Sequence, residues 1–206
     1  LVAAGVMTAD DAIRTVRERG ILMQEAVPAG VGGMSAVLGM TADEINAVVD
    51  DIPNVQVANY NCPGQIVISG LKEAVEIAAV KLKEAGARRV IPLNVSGPFH
   101  SYLLEEAGEK LGRFLENIPV SEPVIPYVAN VTAAYVTKAE DVKPLLTRQV
   151  SSSVRWQQSV EIMLADGVDR FIEIGPGKTL AGFIRKINRE ATVINIEKFE
   201  DLEKLN

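Results

Sequence analysis

Gly32-Gly33-Met34-Ser35-Ala36-Val37-Leu38-Gly39 is a run of small and apolar residues bounded by glycine, and it reads as a β-strand. Directly after it, Thr41 stands as N-cap to a helix carrying Ile45, Val48 and Val49. Two more strand-like runs, residues 55–59 and 65–69, surround the turn Asn61-Cys62-Pro63-Gly64. A helical pattern covers residues 71–85, and an apolar run covers 89–95. The order is β-α-β-β-α-β, the split βαβ or ferredoxin-like motif, so residues 31–95 are expected to form a compact subdomain of their own.

On the C-terminal side of that unit stands Asn94-Val95-Ser96-Gly97-Pro98-Phe99-His100-Ser101, which holds the single histidine of the chain. Gly97 and Pro98 break the incoming strand, and a helical stripe of Leu103, Leu104, Ala107, Leu111, Phe114 and Leu115 follows, with Ser101 as the expected N-cap. A histidine beside a helix N-terminus is kept neutral by the positive end of the dipole and can accept a proton. His100 is therefore the candidate for proton chemistry near neutral pH. The alternative is a loop histidine that only caps a neighbour.

On the N-terminal side a helix is expected from Thr8 to about residue 27. Ala12, Val16, Met23 and Ala26 make its inward stripe, and Arg19 falls in the same stripe. A guanidinium there must be paired, face a cavity or snorkel to the rim. Further along, a strand over 124–131, helices over 139–150 and 154–165, a strand over 170–174, the turn Gly175-Pro176-Gly177 into a helix, and a strand over 192–196 suggest a parallel α/β sheet. Three strands are few for such a sheet, and Leu1-Val2-Ala3-Ala4-Gly5 reads as the middle of a packed element, so a longer polypeptide is expected. Gln149 continues the apolar face of Val142, Leu145, Leu146 and Val150, where an amide must be hydrogen-bonded, tying down a loop or lining a site.

Composition narrows the classes. With 48% hydrophobic residues in 206, the chain can bury a full core, and its net charge of -6 offers no global field for nucleic acid. No apolar run is long enough for a membrane anchor and no stretch reads as a secretory leader, so a cytoplasmic setting without membrane attachment is expected. One cysteine excludes an internal disulfide, and one cysteine with one histidine argues against a zinc site. Gly175-Pro176-Gly177-Lys178-Thr179 resembles the end of a P-loop, but Ile172 stands where that motif needs its first glycine. Cys62 could act as a nucleophile for His100 only if exposed and activated; otherwise it is a small packed residue.

Taken together, Leu1-Val2-Ala3-Ala4-Gly5, Arg19-Gly20-x-x-Met23-Gln24-Glu25-Ala26, Asn59-Tyr60-Asn61-Cys62-Pro63-Gly64-Gln65, Gly97-Pro98-Phe99-His100-Ser101, Arg148-Gln149 and Glu173-Ile174-Gly175-Pro176-Gly177 resemble the malonyl-CoA:acyl carrier protein transacylases along the whole chain. The resemblance implies an α/β-hydrolase-like large domain, here residues 1–30 and 96–206, with an inserted ferredoxin-like subdomain at 31–95. It implies transfer of malonyl from malonyl-CoA to the phosphopantetheine thiol of acyl carrier protein, in fatty acid biosynthesis, with no cofactor beyond those substrates. It assigns His100 as catalytic base, Gln149 as the residue whose main chain orients that histidine, and Arg19 as the partner of the malonyl carboxylate. Met34 and Asn130 match positions of the acyl pocket, and Phe99 resembles the bulky variant of malonyl-selective enzymes. The nucleophile elbow of the family, Gly-His-Ser-x-Gly, is not among these 206 residues. The chain alone is accordingly expected to be inactive. A silent carrier-binding module and a Cys62/His100 hydrolase are the competing readings. For an acidic carrier the basic residues Lys81, Lys83, Arg88, Arg89, Arg185, Lys186 and Arg189 are the expected contacts.

Overall fold

The computed structural model describes residues 1–205. Its elements are α1 Ala9–Ala26, β1 Gly32–Leu38, α2 Ala42–Val49, β2 Val55–Cys62, β3 Gln65–Leu71, α3 Lys72–Glu84 and β4 Arg89–Pro92. There follow α4 Glu105–Leu115, β5 Tyr127–Ala129, β6 Ala134–Val136, α5 Ala139–Gln149, α6 Trp156–Ala165, β7 Arg170–Ile174, α7 Thr179–Ile187 and β8 Thr192–Ile196. Short 3₁₀ segments occupy Tyr102–Leu104 and Phe199–Leu205.

The first four strands form one antiparallel sheet in the order β2-β3-β1-β4. Because side chains alternate across a strand, the register sorts them into two sets. Val37, Val57, Ile66 and Ile68 pack under α2 and α3 against Ile45, Val49, Ala78 and Leu82, and this is the largest buried cluster described. Met34, Ala36, Ala58 and Val67 line the opposite face and meet Leu93 and Phe99. Each fully buried Ile or Leu here contributes about 1.5–3 kcal/mol relative to exposure. Thr41 closes a capping box at the start of α2: Glu44 N donates to Thr41 Oγ1 at 3.3 Å, and Thr41 N donates to Glu44 Oε2 at 2.8 Å. At the outer edge β2 slips register between Val57 and Asn59, and there Val154 N donates to Ala58 O at 2.8 Å while Tyr60 N donates to Val154 O at 2.9 Å. The edge is thus covered by another part of the chain rather than left open.

Elsewhere α1 packs on α4, burying Met23 and Val27 against Leu104, Ala107, Leu111 and Leu115. Several expectations need correction. Val16 is exposed and Thr15 is buried in its place, so the inward stripe of α1 is rotated, with Arg19 now between Thr15 and Met23 on the covered side. β4 ends at Pro92, although Leu93 N still donates to Met34 O at 2.9 Å. Ser101 does not cap a helix: its hydroxyl is buried and donates to Pro98 O at 2.7 Å, and a 3₁₀ turn intervenes before α4. The strand expected over 124–131 is only β5, and it pairs antiparallel with β6 in a hairpin that the sequence reading omitted. Parallel pairing is confined, among the named strands described, to β7 and β8. No described helix is long and apolar enough to cross a membrane.

Candidate active site

The loop between β4 and α4 is pressed against the end of β1. A side chain at Gly32 would collide with the Pro98 ring, so glycine permits this close approach. Two residues on, His100 adopts a left-handed backbone conformation with φ of 58°, which turns its ring away from the helical path.

His100 Nδ1 lies 3.0 Å from the main-chain oxygen of Gln149. A carbonyl can only accept, so Nδ1 carries the proton and Nε2 keeps a free lone pair. The Gln149 side chain holds its own turn in place, Nε2 donating to Ser152 O at 3.0 Å and to Ser153 O at 3.4 Å. Of the two roles open to the Gln149 amide in the sequence, the side chain takes the loop tie, while the contact with His100 comes from the main chain. Burial pushes the His100 pKa below its ordinary value; the Gln149 carbonyl opposes this, the charge of Arg19 reinforces it, and the Ser152 carbonyl opposes it again. The ring is therefore neutral at physiological pH. Burial and Arg19 supply this effect, not the helix end first invoked, since α4 begins only at Glu105.

A cleft of about 500 Å³ opens beside the ring and brings Arg19, Met34, Phe99 and His100 together with Asn59, Asn61, Leu93, Thr179 and Phe183. Burial lowers the pKa of Arg19, and among the described residues its guanidinium has neither an ion-pair nor a hydrogen-bond partner. Asn130 does not line this cleft: its Oδ1 accepts from Ser159 Oγ at 3.3 Å and its carbonyl from Arg155 N at 2.9 Å. A larger hollow of about 600 Å³ near Gly30, Lys72 and Glu76 contains neither His100 nor Arg19. Cys62 is fully buried, and burial raises its pKa, which overturns the reading of it as an activated nucleophile.

Asn59, Asn61, Thr179 and Phe183 are cleft residues that the sequence reading did not assign. Asn59 and Asn61 alternate along β2 and so share a face, a signal that was available. Thr179 and Phe183 lie on α7, whose position beside β2 is a long-range contact with no local signature.

A left-handed loop, a carbonyl-anchored imidazole and an unpaired guanidinium thus meet in one cleft. Residues 1–200 match the acyl transferase domain family, and the chain belongs to that family. It is 47% identical over 207 residues to the malonyl CoA-acyl carrier protein transacylase of Bacillus subtilis (strain 168), covering 98% of this chain and 65% of that protein. The chain thus spans about two-thirds of the length of such relatives. Among solved structures, an acyl carrier protein S-malonyltransferase from Vibrio cholerae superposes with a TM-score of 0.98 at 41% identity, covering 100% of this chain and 68% of that one. A malonyl-transacylase in complex with a type II PKS acyl-carrier protein gives 0.96 at 40% identity, covering 99% and 67%.

Proposed function

We propose that this chain carries the base and the carboxylate-binding arginine of a malonyl-CoA:acyl carrier protein transacylase of fatty acid biosynthesis. The observation that carries the reading is the pairing in one cleft of a neutral, Nδ1-anchored His100 with an unpaired, partly buried Arg19. In the complete enzyme a serine Oγ–H would give its proton to His100 Nε2 while Oγ attacks the malonyl thioester carbon. The C–S bond breaks and the CoA thiolate takes the proton from Nε2. The carrier thiol then loses its proton to Nε2 and attacks the acyl ester, and the serine oxygen leaves with that proton. Arg19 grips the free malonyl carboxylate through two hydrogen bonds, which an acetyl group cannot offer.

The same reading assigns Met34 and Phe99, which line the cleft, to substrate binding, with Phe99 restricting a 2-methyl branch; Asn130, matched to the acyl pocket by resemblance, lies outside that cleft. It places residues 1–30 and 96–206 in an α/β-hydrolase-like large domain and 31–95 in an inserted ferredoxin-like subdomain, which the β2-β3-β1-β4 order supports. A cytoplasmic location belongs to this reading too. Without a Gly-His-Ser-x-Gly serine the 206 residues would bind but not turn over malonyl-CoA. Carrier docking would use Lys81, Lys83, Arg88 and Arg89 at the α3–β4 corner; Arg185 and Lys186 already bond Val193 O and Gln65 Oε1.

The test is kcat/KM for malonyl-CoA and acetyl-CoA in the complete enzyme. Arg19→Ala should cost malonyl transfer roughly 2–5 kcal/mol, by leaving a buried carboxylate unpaired, and spare acetyl transfer. Arg19→Lys should recover part of the loss. An equal fall for both substrates would make Arg19 structural and remove the carboxylate assignment.

A further inference from the structure

Gln56 lies on β2 of the antiparallel sheet, far in sequence from the catalytic candidates, and no motif singled it out. Its register partner on β3 is Ser69, whose own partner on β1 is Met34, so Gln56 and Met34 stand in one transverse row. That row is on the sheet face that meets Phe99. Gln56 Nε2 donates to His100 O at 3.3 Å, and Tyr102 N donates to Gln56 Oε1 at 3.0 Å. One side-chain amide therefore brackets the backbone across His100, Ser101 and Tyr102. The middle residue is tied separately, through Ser101 Oγ to Pro98 O.

We propose that Gln56 is a positioning residue for the general base: its amide clamps the backbone on both sides of His100 and so keeps the ring aimed at the cleft with Nδ1 on Gln149. This rests on the reading of His100 as the base. The conformation held is a sparsely populated one, with φ of 58°, which a histidine keeps only where its surroundings dictate it. Gln56 also has a counterpart on the same strand. Ser153 Oγ donates to Val57 O at 2.5 Å and Val154 N to Ala58 O at 2.8 Å, so three consecutive residues of β2 fasten both the histidine loop and the 149–154 turn that supplies its carbonyl partner. The strand sets the distance between ring and carbonyl because it holds both.

The test uses the fact that His100 is the chain's one histidine, so its ring signals in NMR need no assignment by mutation. In the 206-residue chain, Gln56→Met should shift the imidazole titration upward toward the ordinary histidine value as the ring leaves its buried anchor; Arg19 is the charged side chain acting on that ring and is retained. In the complete enzyme the same variant should lower kcat about 10–100-fold, as expected for a displaced catalytic group, with KM for malonyl-CoA within about twofold of wild type. Gln56→Glu still accepts from Tyr102 N but cannot donate to His100 O, so in the complete enzyme its kcat should fall between wild type and Gln56→Met, and in the 206-residue chain, where His100 is the sole imidazole, the ring should react faster than wild type with diethyl pyrocarbonate. A folded Gln56→Met with unchanged titration, or with kcat lost only in step with a raised KM, overturns the proposal. Should Gln56→Met fail to fold, wild-type imidazole reactivity in Gln56→Glu overturns it equally. If the wild-type complete enzyme transfers no malonyl, the functional reading fails, while the titration and reactivity comparisons still decide the clamp.

Discussion

The antiparallel sheet that lines the cleft and the β7-β8 pair, which reaches it only through α7, are covered to different degrees. The β2-β3-β1-β4 sheet is buried on both faces, with Val37, Ile45, Ile68 and Leu82 wholly out of solvent. The parallel pair β7-β8 buries Phe171 and Ile184 in a small cluster but leaves Ile172 at 45% and Ile174 at 80% exposure. Parallel strands are ordinarily covered on both faces, so such exposure is the unusual member of the pair. The lesson is where stability and chemistry are anchored: the histidine loop and its carbonyl partner both hang on the well-covered sheet, while α7, which lends Thr179 and Phe183 to the cleft, sits with the sparsely covered one.

The comparison can be broken by denaturant unfolding. Leu82→Ala should cost about 2–5 kcal/mol, since the vacated volume lies in a filled core; Ile174→Ser, at an exposed position, should stay within about 0.5 kcal/mol of wild type. Equal losses would mean that the parallel pair is as deeply packed as the antiparallel sheet. Gly32→Ala probes the joint between sheet and loop, and forcing a methyl against the Pro98 ring should cost about 1–3 kcal/mol and move His100 in NMR spectra. Thr41→Ala removes the capping box and should cost about 1 kcal/mol while leaving the His100 signals in place. The smallest effect is on pH. Because the folded state holds the His100 pKa below the unfolded value, the unfolded chain takes up the proton first as pH falls. The contribution is therefore fully present above about pH 6.5 and is lost on acidification below it. Denaturant midpoints across that window should show a slope that His100→Gln abolishes.

Much of the covered sheet was legible because its signals are local. The continuous small and apolar runs in 32–38 and 65–71, the Thr41 cap and the Pro63-Gly64 turn each act within a few residues, and they agree with one another. The prominence of His100 was legible too, as a lone imidazole between a Gly-Pro break and an apolar helix. What misled was face selection where propensity is silent. Val16 suits the apolar stripe of α1 as well as Thr15 does, and only the position of α4 decides between them. The β5-β6 hairpin is three residues per strand, too short to show a period, and the residue that turns it, Ala133, has φ of 52° without any glycine to announce it. Gln56 was invisible for a related reason: a glutamine in a strand looks like ordinary solvent-facing alternation until its partners, more than 40 residues away, are in view.

The register slip in β2 between Val57 and Asn59 carries a consequence for anyone recombining members of this family. On one side of the slip Gln56 reaches the histidine loop; at and beyond it, Ala58 and Tyr60 present their backbone groups to Val154. Insertion or deletion of a single residue between the start of β2 and Asn59 would invert one set relative to the other. A chimera made by exchanging part of the 31–95 unit must therefore conserve residue count over that interval before it conserves residue type, and its crossover points belong in the 50–54 or 63–64 turns rather than within the strand.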